Sequence, residues 1–297
     1  MSNQVGGTSL PPQAELDKRA EQSGAASMTD EQIKQIALSK MPNGGKIKMD
    51  NYTGPTEVID LPSKGLVYPK DNPLSSGQVR MKYMTAREED ILTSETLLRD
   101  GTVIDKLLES MIVDPINLDD LIIGDKDWLM IAARVLGYGS EYKFTIKDPY
   151  SNNEQTETID CTQIEFKEID ESIYNNENRF SYTLPKSGKN IEFQLMTTAT
   201  EKKVDLELKK RKFKKDNIDH TLSIRTRHLI LSIDGETDPI KIEKDFNQWI
   251  VLDLKAFRRH LAEIQPGPDL DYTIVSEKTG GEKQIKIPFG SEFFWGD

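Results

Sequence analysis

Residues 57–69 read "EVIDLPSKGLVYP" and residues 79–92 read "VRMKYMTAREEDIL"; residues 180–206 then read "FSYTLPKSGKNIEFQLMTTATEKKVDL". Each time a Leu-Pro turn with Ser, Lys and Gly leads into an alternating run, then Met-Thr, then a charged helix start. Alternation at Val79, Met81 and Tyr83, and again at Ile191, Phe193 and Leu195, is the period of a half-buried strand. Thr85 precedes the first helix as its cap, with Glu88 at the capping-box position and Gly101 as the stop of a helix over 86–100.

The order continues in register. "TVIDKLLESMIV" carries Val103, Ile104, Leu107, Leu108 and Met111 on one helical face, and "TLSIRTRHLILSI" matches it as a middle helix that includes His228. "LDDLIIGDKDWLMIAARVLGYG" predicts a short helix, a break capped by Asp125 and Asp127, and a longer helix. "IEKDFNQWIVLDLKAFRRHLAEI" repeats this, with Asp253 standing where Asp125 stands. Each series closes on two strands, around a polar turn at Pro149–Asn153 and around Gly280-Gly281. The spacing predicts an α+β fold of two related units from internal duplication, each with a strand, several helices and a β-hairpin. Leu61 and Met84 stand 23 positions apart, Leu184 and Met196 only 12, so the first unit carries an extra loop around Tyr68–Gly77.

The boundaries follow from composition. Residues 1–56 form an arm, too poor in apolar residues to fold alone, with one short helix over 29–41 whose Ile33, Ile36 and Met41 make a narrow stripe. Residues 57–165 are the first unit, 166–178 an acidic connector and 179–297 the second unit. The arm helix docks back on its own domain or enters a partner's groove; the residues leave both open.

With 297 residues and a formal charge of −11, the chain lacks the basic balance of a dedicated nucleic-acid binder. Its longest apolar runs fall far short of the ~20 residues of a membrane span, and its polar start has no apolar signal-peptide core. Cys161 is the sole cysteine, which excludes an intrachain disulfide and a thiolate zinc cluster and reads as a small buried side chain. A reducing, cytoplasmic folding compartment follows.

Little in the chain points to chemistry. Glu88, Glu89 and Asp90 suit the first turn of a helix, where the dipole favours anions. The three histidines, His220, His228 and His260, form no metal-ligand motif. "GYGS" is not a dinucleotide fingerprint, and neither a phosphate loop nor a nucleophile elbow occurs. No catalytic constellation, cofactor or metal is expected. The basic run Lys209, Lys210, Arg211, Lys212, Phe213, Lys214 and Lys215 reads as a solvated helix face or a contact for an acidic protein, ahead of a phosphate-binding strip. At the other end, Phe293, Phe294 and Trp295 either close the second unit's core or anchor a partner.

The ordered set "LPSKGLVYP", "MTAREEDILTS", "GTVIDKLLES", "GDKDWLMIAARVLGYGSEY", "NRFSYTLPKSG", "SIDG" and "IPFGSEFFWGD" resembles the baseplate hub protein family of T4-like contractile-tailed bacteriophages, over residues 57–297. The resemblance implies a non-enzymatic virion protein, made in the host cytoplasm, that builds the tail hub through contacts with other hub or tail proteins. A transient assembly chaperone is the first alternative and a nucleic-acid-binding adaptor the second; no membrane is involved. Relatives can carry Cys-x-x-Cys pairs in the hairpins. Asp148, Ser151, Ser276 and Thr279 stand there in this chain, so no structural metal is expected. Tyr68 and the loop around it are the place to seek a specific neighbour.

Overall fold

Leu61 opens a loop that returns to its starting point at Gly77, where the Leu61 amide meets the Gly77 carbonyl at 2.8 Å. That closure makes a hairpin of β1 (Thr56–Asp60) and β2 (Gln78–Lys82), antiparallel from Thr56↔Lys82 to Asp60↔Gln78. The computed structural model describes residues 53–147, 153–212, 219–276, 279–288 and 291–294. The expected arm helix with Ile33, Ile36 and Met41, the turn at 149–152 and Trp295 lie outside them. β1 escapes the alternation rule because Glu57, an inward position, is buried and accepts the Tyr83 hydroxyl at 3.1 Å, while Val58 faces water.

After β2 come α1 (Ala86–Leu92), α2 (Glu95–Asp100), α3 (Val103–Met111) and α4 (Ile123–Tyr138). The single helix expected over 86–100 is two. Ser94 turns extended (φ −69°, ψ 106°), and the Thr93 hydroxyl bonds back to the Glu89 carbonyl at 3.0 Å, which ends α1. Gly101 closes α2 in the left-handed conformation, φ 74°. Ile112 then bridges Met81, so the chain touches β2 a second time before α4. β3 (Glu141–Lys147) and β4 (Glu154–Asp160) form the hairpin that ends this half.

The second half begins with β5 (Phe180–Thr183) and β6 (Asn190–Phe193), another hairpin closed at a Leu-Pro turn, with the Leu184 amide on the Lys189 carbonyl at 2.8 Å. α5 (Thr198–Lys212) and α6 (Thr221–Arg227) follow. The stretch expected as one middle helix divides here. His228 ends α6, and β7 (Ile230–Ile233) joins β6 across a register shift between Glu192 and Phe193. Isoleucines at both ends of "ILSI" suit a pleated, buried surface better than a helix. α7 (Pro239–Phe246), α8 (Val251–Ile264) and the hairpin β8 (Asp271–Val275) with β9 (Glu282–Lys286) complete the half, and a 3-10 turn, Ser291–Phe294, follows.

Two of the junctions between the halves lie at α4 and at the connector. Before α4, Leu121–Ile123 runs antiparallel to Met196–Thr198: the Ile123 amide meets the Met196 carbonyl and the Thr198 amide meets the Leu121 carbonyl, each at 2.8 Å. Beside it Gly124 lies against the chain past α8, so close that a Cβ there would stand 1.8 Å from the Pro266 carbonyl oxygen. The acidic connector is pinned to both sides. Phe166 bridges Pro268 and packs edge-on against Trp128 at 4.6 Å, and the Asn176 amide bonds the Leu66 carbonyl at 2.9 Å. The Tyr174 hydroxyl donates to the Ile264 carbonyl. One connected apolar core therefore runs from Ile59 through Trp128, Phe193 and Phe257 to Phe294.

Gly124→Ala is expected to destabilise the chain by at least the ~1–3 kcal/mol of ordinary overpacking, because rigid backbone, not a side-chain tip, blocks the methyl. Urea unfolding checks it, with Gly139→Ala as the comparison, since that position has open space and strain only from its φ of 86°.

Candidate functional site

Asp125 is the third residue of α4 and fully buried. It does not cap its own helix, as the sequence suggested; its carboxylate leaves the helix and takes three donors from the Leu-Pro loop. The Ser63 amide reaches Oδ1 at 3.0 Å, and the Ser63 and Tyr68 hydroxyls reach Oδ2 at 2.6 and 2.5 Å. The Tyr68 oxygen in turn accepts the Ile122 amide at 3.2 Å. Burial dominates this carboxyl and pushes its pKa up to about 6 against the pull of the three donors. Tyr68, expected as a partner contact, is thus turned inward and buried. What the extra loop offers to solvent is Pro69, Lys70, Asp71, Pro73 and Ser76.

Asp253 holds the same place in α8 and also reaches a Leu-Pro turn, accepting the Lys186 and Ser187 amides at 2.8 and 3.0 Å. No tyrosine covers it. Burial acts upward on its pKa, but the turn amides outweigh it and hold the carboxyl below the usual range. The insertion therefore changes the chemistry of one lock and leaves its geometry.

The aromatic end closes a core, though a different one from that expected. Phe293 is buried edge-on to Tyr142 of β3 at 4.6 Å, Phe294 is buried beside it, and Arg134 of α4 lies over the Phe293 ring at 5.4 Å. The tail thus covers first-half elements, and the Tyr142 hydroxyl bonds the Pro288 carbonyl at 3.3 Å. Arg134 sits between three rings, those of Tyr138, Tyr142 and Phe293, and donates to the Glu141 carbonyl at 2.9 Å. Its desolvated cation is carried mainly by ring faces.

Other reactive-type groups are engaged. Glu88 is buried; desolvation acts upward on it, but Ser110, Thr85 and Lys82 outweigh that and hold its pKa at about 2. Arg211 of the basic run pairs with Glu207 at 3.2 Å and Glu243 at 3.6 Å, while Lys209 and Lys210 stand exposed. The side chains of Lys212, Lys214 and Lys215 lie outside the described residues. His228 ends α6 with Nε2 2.9 Å from Glu207. Burial pushes the Cys161 thiol up to about 11, far from a reactive thiolate. Burial also raises Asp127 to about 6, with Glu201 adding to it. Among the described residues no cluster of His, Cys, Asp and Glu could hold a metal ion, and no helix is long and apolar enough to cross a membrane. An open groove of about 450 Å³ crosses β5, β6 and β7, where His260 stacks on Tyr182 at 4.4 Å.

Sequence reasoning missed the apolar surface. Ile250, Val251 and Leu252 at the start of α8 are all exposed, as are Ile240 on α7 and Tyr138 at the end of α4. Three consecutive apolar residues cannot all face inward from one helical turn, and that was the available signal. Residues 55–295 match the family model described as the T4 bacteriophage base plate protein. The chain belongs to that family. Membership implies a phage tail protein that interacts with other tail or baseplate proteins. No curated protein and no solved structure matches the chain.

Two outcomes test the site. The Asp125 carboxyl binds its proton more tightly folded than unfolded, so it favours folding most below pH 4 and loses that contribution as pH rises through 6. Between pH 4 and 7, Asp125→Asn should gain about 3 kcal/mol relative to its parent in urea unfolding. Phe293→Ala should cost about 3–5 kcal/mol in the same assay, because it empties a position closed by Tyr142 and Arg134.

Proposed function

We propose that this baseplate protein is a subunit of the tail hub of a contractile-tailed phage, acting through protein–protein contacts and without catalysis. The observation that carries the reading is the pairing of a family match over 55–295 with a chain whose halves share one core while α8 presents bare apolar side chains. A rigid body with a fixed apolar face suits a part that sets geometry in an assembly. The engagement of Asp125, Glu88, Glu207 and Cys161 in bonds or burial supports a non-enzymatic role.

We also read the chain as two units, 57–165 and 179–297, descended from one. In support, each half has a hairpin closed at Leu-Pro, a return to that hairpin at Ile112 or Ile230, and a long helix whose third residue is an aspartate bonded to the Leu-Pro turn. An assembly chaperone of the same family is the alternative. The nucleic-acid reading weakens because Arg211 is committed to Glu207 and Glu243.

Quantitative mass spectrometry of finished particles decides between subunit and chaperone. A fixed, stoichiometric ratio to other baseplate proteins is expected. Loss of the chain from particles that still need it for assembly would overturn the subunit reading.

A further inference from the structure

The halves meet through two different surfaces. The first half contributes a knob, Ile122–Gly124 at the start of α4. The second half contributes the seat: the strand-to-helix step Met196–Thr198, and Pro266–Gly267 past the end of α8. Ile123 packs there against the small cluster of Met196, Val204, Ile224 and Leu229.

Each half carries both parts. Ile250 caps α8 as Ile122 caps α4, and Asp253 sits third in its helix as Asp125 does, so Ile250–Leu252 is the second half's knob. It is bare: Ile250, Val251 and Leu252 are 49%, 61% and 58% exposed. The first half's seat is the other Met-Thr step, Met84–Ala86, where Thr85 and Ala86 face solvent. It adjoins the end of α4, since the Met84 sulfur lies 2.7 Å from where a Gly137 Cβ would stand. There Tyr138 is 43% exposed, and nothing lies within 4 Å of where a Gly139 Cβ would stand. Among the described residues, one knob and one seat are used within the chain, and one of each is left over.

We infer that a second copy of this chain fills them, the Ile250–Leu252 knob of one copy seating on Met84–Ala86 and Tyr138 of the next. The contact repeats an interface the chain already makes with itself, and its charges complement each other. Exposed Glu89 and Asp90 stand on the seat. On the knob, exposed Lys255 follows Val251 by one helical turn, and exposed Lys186 belongs to the turn that holds Asp253. Within the chain, Glu201, five residues past Met196 as Glu89 is past Met84, already pairs with Lys126 of α4 at 3.3 Å. The copies differ in one respect. Leu252 replaces Gly124, so the second contact closes through side chains and not backbone against backbone. Because knob and seat are different surfaces, the association is heterologous and runs beyond a dimer into a ring or a filament.

Sedimentation of the full chain over a concentration series tests this, independently of whether the protein is a hub subunit. Association beyond dimers is expected, weakened about tenfold or more by Val251→Glu on the knob or by Ala86→Glu on the seat. Mixing the two variants should restore one good knob on one good seat and stop at a 1:1 dimer. Thermal melts of both variants, at surface positions, should stay near the parent. A parent that remains monomeric into the high micromolar range overturns the inference, whether residues 1–52 or another tail protein covers the knob. So does association that survives both variants, or a mixture that forms no dimer.

Discussion

The close approach of Gly124 to Pro266 is the constraint on which the arrangement of the halves depends. A side chain at 124 would hold the start of α4 away from the second half. The two amide-to-carbonyl hydrogen bonds between Leu121–Ile123 and Met196–Thr198 would then lose their register, and Ile123 its place on the Met196 cluster. Around that contact the ion pairs are arranged to match: Lys126 of α4 meets both Asp105 of α3 and Glu201 of α5, and Lys202 meets Asp105 and Asp119. The half-exposed Lys202–Asp119 pair adds little by itself, whereas Lys126 and Asp105 are largely shielded from water. The number of pairs at one seam disfavours other packings.

The buried aspartates serve the seam indirectly. Asp125 fixes the Leu-Pro loop to α4 and, through the Tyr68 oxygen, fixes Ile122, the residue that precedes the Gly124 contact. The loop insertion thus belongs to the machinery that holds the knob in position. Asp253 ties its own turn to α8 without such a cover, and the apolar residues before it remain in water. Within a baseplate protein, this asymmetry between halves separates a surface satisfied inside the chain from one available to a neighbour.

Much of the fold was legible from pattern. The Met-Thr strand-to-helix steps, α3, the long α4 and α8 and the two closing hairpins all follow from period and turn residues. The misses have local causes. Glu57 occupies an inward strand position and hides β1, Thr93 and Ser94 carry helical neighbours on both sides and hide the break between α1 and α2, and β7 follows a helix without glycine or proline to mark the change. For the candidate site, the sequence offered Tyr68 as a partner contact and left Phe293 open between core and anchor; both side chains are buried inside the chain.

By itself the sequence determined the elements and their order, because periodicity, caps and turns are properties of neighbours along the chain. It also determined that Asp125 and Asp253 would occupy equal places. Only the tertiary structure decided which half's surfaces are covered, since that depends on a backbone approach of residues about 140 positions apart, in the close range where overpacking is costly. It decided too that the terminal phenylalanines close the first half and that Ile250, Val251 and Leu252 stay bare. Burial is a property of what arrives from elsewhere in the chain, and no local pattern records it.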